Sequence, residues 1–156
     1  MKTITGLLLV AMLLGACSQT PLYDQSETLP QSQWPLTQAT RFAVAVADTA
    51  ESYDIYFRIT NGTYYAYSNL WLFCKTSIPG RGTHIDTLEI ELADVQGRWK
   101  GDKSGDNYTA LYPYKQQIKF PQAGQYEFLV VQGMRDSILT DISQFGLRIE
   151  KSAHKK

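Results

Sequence analysis

The amino-acid sequence predicts an all-β protein: a single domain folded as one antiparallel β-sandwich of about eight strands, jelly-roll or immunoglobulin-like. Three observations carry that prediction. Short stretches that alternate apolar with polar residues recur along the chain, and glycine, proline and asparagine turn signals separate them. A length of 156 residues with 44% hydrophobic and 12% aromatic content suits one domain with an ordinary core. The 15 basic and 15 acidic residues cancel, so the chain lacks the electrostatic footprint of a nucleic-acid binder.

The chain opens with Lys2, an apolar run from Leu7 to Leu14, and Leu14-Gly15-Ala16-Cys17. A run this short cannot cross a bilayer core, which needs about 20 residues, so it reads as an export signal. The tetrapeptide resembles a bacterial lipobox, which makes residues 1–16 a signal peptide and Cys17 the lipidation site. A diacylglycerol on the sulfur and an acyl group of the palmitate type on the new amino terminus would anchor firmly, at ~0.8 kcal/mol per buried methylene. Residues 17–33, rich in Gln, Ser, Thr and Pro, read as the lipidated cysteine and a flexible stalk; 34–150 as the sandwich; and 151–156, with Lys151, His154, Lys155 and Lys156, as a basic tail. Ser18 gives no inner-membrane retention signal, so the expected site is the outer membrane, facing the periplasm.

Within the domain, Phe42, Val44 and Val46 alternate with alanines, and Tyr53, Ile55, Phe57 and Ile59 alternate with Asp54, Tyr56, Arg58 and Thr60, giving two strands. Asn61-Gly62 then reads as a hairpin turn into a strand from Tyr64 to Lys75. That strand is apolar on both faces. Leu70, Leu72 and Cys74 share the parity expected to face the core, and Tyr65, Tyr67, Trp71 and Phe73 share the other. Either Trp34-Pro35-Leu36 folds back over the second set or it forms a docking patch. Asp86 to Leu92, Tyr114 to Phe120, Gln125 to Gly133 and Phe145 to Glu150 read as further strands. Gly97 to Asn107 is too rich in glycine and charge for regular structure, and its Trp99 either plugs the end of the sandwich or awaits a partner. Met134, Ile138, Leu139 and Ile142 have the spacing of one or two helical turns.

Candidate chemistry is sparse. His84 and His154 are the two histidines, too few for a metal cage or a convincing Ser-His-Asp triad. Cys74 is a lone thiol in an apolar strand and reads as a small core side chain. Asp102, Asp106 and Asn107 lack the spacing of a calcium loop. Glu89, Glu91 and Asp94 are the carboxylates a glycosidase would need, and on the solvent face of a strand they read as solubilising. No catalytic, metal or cofactor residues are expected; the candidate partner-binding residues are Tyr65, Tyr67, Trp71, Phe73 and Trp99.

From Trp34 to Glu150 the chain resembles the GldH family of gliding-motility lipoproteins. The resemblance is carried in order by Ile59-Thr60-Asn61, Tyr67 to Phe73, Asp86 to Glu89, Leu92-Ala93-Asp94 with Gly97 to Gly101, Phe120, Gly124 and Tyr126, Gln132 with Met134-Arg135, and Gly146 to Glu150. It implies a non-enzymatic outer-membrane lipoprotein, without cofactor, working with other envelope proteins of the gliding apparatus and of the type IX secretion system. The alternative is a carbohydrate-binding lipoprotein module that stacks sugars on an aromatic face.

Overall fold

The computed structural model describes residues 20–153. Eleven β-strands form among them and no α-helix: β1 (Tyr23–Thr28), β2 (Gln33–Pro35), β3 (Thr40–Val46), β4 (Tyr53–Gly62), β5 (Asn69–Ile78), β6 (Gly82–Glu91), β7 (Asp102–Ser104), β8 (Asn107–Ile118), β9 (Gly124–Gln132), β10 (Ile138–Thr140) and β11 (Ile142–Lys151). Residues 1–16, Cys17 and 154–156 of the basic tail lie outside the described residues.

Eight strands have six or more residues. They pair as one long hairpin rolled up on itself: β1 with β11, β3 with β9, β4 with β8, and β5 with β6, all antiparallel. Pairing of β4 with β11 and of β5 with β9 completes two sheets, β1-β11-β4-β8-β7 and β3-β9-β5-β6. This nesting is a jelly-roll sandwich, so of the two arrangements expected the jelly roll is realised. Three short strands account for the excess over eight: β7 extends one sheet, and β2 pairs with β10 in a separate ribbon.

The alternating residues meet between the sheets as their period requires. Phe42, Val44 and Val46 of β3, Leu70, Leu72 and Cys74 of β5, and Phe128 and Val130 of β9 are buried against Ile55, Phe57 and Ile59 of β4 and Phe145, Leu147 and Ile149 of β11. Phe145 is a hub: its ring lies 5.2 Å from Phe57, 6.1 Å from Phe42 and 5.0 Å from Trp34. Because Tyr23 pairs with Ile149, both ends of the described chain lie at one end of the sandwich, with the β3–β4, β5–β6 and β8–β9 connections. The opposite end is built by residues 63–68, 92–101 and 133–137.

Four local expectations are corrected. The expected stalk is folded from Tyr23: β1 is a polar edge strand whose Tyr23 ring meets Phe42 at 6.4 Å and whose Asp24 joins two arginines of neighbouring strands. Such a strand has no apolar alternation to betray it. The same segment supplies Leu29 and Trp34 to the core, so Trp34 does not cover the Trp71 face, and Leu36 remains exposed. Asn61-Gly62 is not a hairpin: β4 continues through Gly62, and the chain then crosses to the other sheet. The glycine is needed there because a Cβ would collide with the Asp141 carboxylate. Residues 102–118 form a hairpin closed by Gly105-Asp106, with Gly105 at φ 59 in a position that favours glycine. Between Met134 and Ile142 there is no helix; Leu139 and Ile142 are both buried because Asp141, at φ 67, breaks the strand parity between β10 and β11.

Candidate functional site

Strand β5 is central in its sheet, bonded to β9 on one side and β6 on the other. Its even residues Leu70, Leu72 and Cys74 are fully buried, and its odd residues Trp71 and Phe73 are 39% and 42% exposed on the outer face. Register decides what surrounds them. Opposite Phe73 stand Val131 of β9 and Thr87 of β6, and opposite the next outward residue, Lys75, stand Leu129 and Ile85. Ile85 is 64% exposed, and Leu129 and Val131 are half-buried. Trp71, Phe73, Val131, Leu129 and Ile85 therefore form an apolar stripe across three strands on the outside of the sandwich.

The upper end of the stripe is shaped by the turn after β9. The fully buried Gln132 side chain donates to the Asp136 carbonyl at 2.8 Å and accepts from the Met134 N–H at 2.8 Å, which fixes residues 133–136. The Gly133 N–H donates to the Trp71 carbonyl at 2.7 Å, and the Trp71 N–H points at the Met134 sulfur at 3.3 Å. Any side chain at 133 would strike the Phe73 ring. Tyr67 donates its hydroxyl to Asp136 at 2.6 Å, a bond that pushes the phenol pKa up. Tyr67, Asn69, Trp71, Gly133, Met134 and Arg135 line an open groove of about 380 Å³.

Of the five aromatic candidates, the structure brings Tyr67, Trp71 and Phe73 to this surface and removes two. Tyr65 is 5% exposed, because β5 begins only at Asn69 and the preceding crossing does not keep strand parity. Its hydroxyl donates to the Asn69 carbonyl at 3.0 Å, and burial pushes its pKa up. Trp99 is half-buried between Tyr65 and Tyr108, with centroids 6.2 and 6.4 Å away, so it plugs the end of the sandwich. Leu129, Val131, Ile85 and Met134 were not singled out by sequence. The signal for two of them was present, since Leu129 and Val131 occupy outward positions of β9 where polar residues are usual.

The remaining polar candidates are engaged structurally. Glu89, Glu91 and Asp94 do surround one hollow of about 180 Å³, but Glu89 accepts from Asn69 at 2.6 Å and Glu91 pairs with Lys100 at 3.1 Å. Asp94 accepts the Arg98 and Gln96 N–H groups, which with the Arg98 side chain hold its carboxyl below the usual range, opposite to what a general acid needs. His84 bonds Asp86, which also accepts from Tyr114 and Lys115. This cluster ties β6 to β8 along the open side of the sandwich. Burial pushes Asp86 up, but the three donors outweigh it and bring its pKa down to about 2. Cys74 is buried and its thiol is pushed up by burial. Among the described residues no group of three or more His, Cys, Asp or Glu is placed to hold a metal ion.

Comparison with known proteins follows the folded body closely. A family model described as GldH lipoprotein matches residues 21–149, which takes in β1 as well as the span from Trp34 onward. The chain is 32% identical over 148 residues to a "Gliding motility lipoprotein GldH homolog" of Christiangramia forsetii, covering 90% of each chain. It is 28% identical over 152 residues to the "Gliding motility lipoprotein GldH" of Flavobacterium johnsoniae, covering 93% of this chain and 94% of that one. No solved structure matches.

Proposed function

Because the chain belongs to the GldH lipoprotein family, and so is a lipid-anchored protein of the cell envelope, we propose that it is a non-catalytic interaction component of the gliding-motility machinery and its associated type IX secretion system. The names of the relatives support the motility assignment. The observation that carries the interaction role is the apolar stripe of Trp71, Phe73, Val131, Leu129 and Ile85 on an outer sheet face that folding does not require to be apolar.

In this reading Cys17 carries the lipid in the outer membrane, with the domain in the periplasm. Five residues separate Cys17 from Tyr23, so the six steps of chain between them reach about 20 Å. The end of the sandwich holding both chain ends then faces the bilayer, and the groove beside Tyr67 and Met134 points away from it. Aromatic anchors in such a patch are the residue types that dominate docking energetics. The sugar-stacking alternative uses the same rings, but sugar hydroxyls need free polar partners, and Tyr67 and Asn69 are already bonded to Asp136 and Glu89.

The test replaces the chromosomal copy with the double variant Trp71→Ala, Phe73→Ala, in a host that both glides and secretes by this route. Loss of gliding or secretion with a normal amount of membrane-anchored protein is the expected result. Wild-type behaviour of that variant, or saturable glycan binding that it abolishes, overturns the proposal.

A further inference from the structure

The direction of the main-chain groups on β5 determines which groups of β6 are free. Trp71 meets β9 through its carbonyl, so the odd residues of β5 point their main chain at β9 and the even ones at β6. With Leu70 opposite Ile90, Leu72 opposite Leu88 and Cys74 opposite Asp86, the even residues of β6 bond β5. The N–H and C=O groups of Thr83, Ile85, Thr87, Glu89 and Glu91 therefore point off the sheet, and no hydrogen bond to them is found among the described residues.

Edges are normally blunted, because an unpaired strand is a template for another chain. The other edges here show how. At β3 the Arg41 N–H is occupied by the Glu27 carboxylate at 2.7 Å. On the outer side of β8 the short β7 covers the first residues, Pro113 lies further along, and a bulge that includes Gln117, at φ 53, breaks the regular edge near its end. Strand β1 is short and carries Asp24 and Glu27. Strand β6 runs ten residues without proline or bulge. Its one inward charge, Asp86, is already satisfied by Tyr114, Lys115 and His84, so an arriving strand would bury no unpaired carboxylate.

We propose that β6 is a strand acceptor: an extended segment of a partner protein pairs with it, lengthening the four-stranded sheet, and carries lysine or arginine facing Glu89 and Glu91. The outward side chains of β6 continue the stripe, since Thr87 stands beside Phe73 and Glu89 beside Trp71. A strand added there gains main-chain hydrogen bonds for affinity and this surface for specificity. A second copy of the chain is the poorer occupant, because pairing β6 with itself brings Glu89 and Glu91 of both copies to one seam and supplies no cation facing them. The inference rests on the docking reading above for its partner, and on the edge geometry alone for its mode.

The test uses the full lipoprotein in detergent micelles and an eight-residue peptide alternating valine with lysine. Hydrogen exchange should slow about tenfold at the amides of Ile85, Thr87 and Glu89 when the peptide is added, and less with glutamate in place of lysine. Thr87→Pro deletes an N–H that bonds nothing in the protein and should abolish the protection without lowering the melting temperature. Ile85→Lys is a second variant that keeps the backbone and should weaken the basic peptide. No protection at these amides, or equal protection in Thr87→Pro, overturns the proposal, as does a self-associated dimer that Thr87→Pro dissociates. In cells, lost function in Trp71→Ala, Phe73→Ala with full function in Thr87→Pro keeps the docking surface and sinks strand addition; loss in both is expected.

Discussion

The two outer faces of the sandwich are built on the same core and differ in what lies at their centres. On the five-stranded sheet Asp24 accepts from Arg58 at 2.5 Å and from Arg148 at 2.7 Å, and Arg148 also pairs with Glu150 at 2.7 Å, so three strands are laced by charge. On the four-stranded sheet the corresponding surface carries Trp71, Phe73, Val131 and Leu129. In both sheets the ladders and the shared core supply most of what holds the strands together. The polar face is what a sandwich shows to water; the apolar one is what the proposed docking role would explain.

Neighbouring residues of β5 give the sharpest test of that division. Leu72→Ala empties a fully buried site and should cost about 2–5 kcal/mol in urea unfolding, whereas Phe73→Ala, one residue on, should cost about 1 kcal/mol or less. Equal costs would mean that the outer stripe is part of the folding core. Next in size is the seam between the sheets. Asp86 has a folded pKa of about 2 against about 3.9 for an unperturbed aspartate, so its contribution is present above about pH 4 and is lost as pH falls towards 2. Asp86→Asn should lower stability by roughly 2 kcal/mol at pH 7, with its curve converging on the wild type in acid. The smallest effect belongs to the polar face. The Arg58 hydrogen bond holds the Asp24 carboxyl below its usual range, so this stabilisation too is lost on acidification, and Asp24→Asn should cost about 1 kcal/mol at neutral pH and less in high salt. A larger loss there than at Asp86 would make the charged face the stronger clamp.

Inward rows were legible in the sequence because burial imposes a period of two: Phe42, Val44 and Val46, or Phe145, Leu147 and Ile149, could hardly be arranged otherwise. The doubled apolarity of β5 was legible too, and its outer half became the stripe. What could not be read was anything fixed by distant partners. Strand β1 is held by Arg58 and Arg148, far along the chain, and leaves no local pattern. Gly62 looked like a turn residue because of Asn61, although its reason is the approach of Asp141. Tyr65 shared a parity with Trp71 on paper, but parity holds only inside a strand, and the crossing before Asn69 ended that rule. The loop that frames the groove depends on the side chain of Gln132, a polar residue in a core position whose purpose appears only once residues 133–136 are placed around it.

The pairing of the first strand with the last has a consequence for how the molecule comes into being. Tyr23 meets Ile149 and Thr28 meets Gln144, so β1 cannot dock until β11 exists, and the hairpin of β5 with β6 is the most local of the four nested pairs. Assembly should run outward from that hairpin, with closure by β1 as a late and slow event, as expected when pairings span most of the chain. Until then the Arg58 and Arg148 side chains lack their shared carboxylate, and β11 presents an open edge.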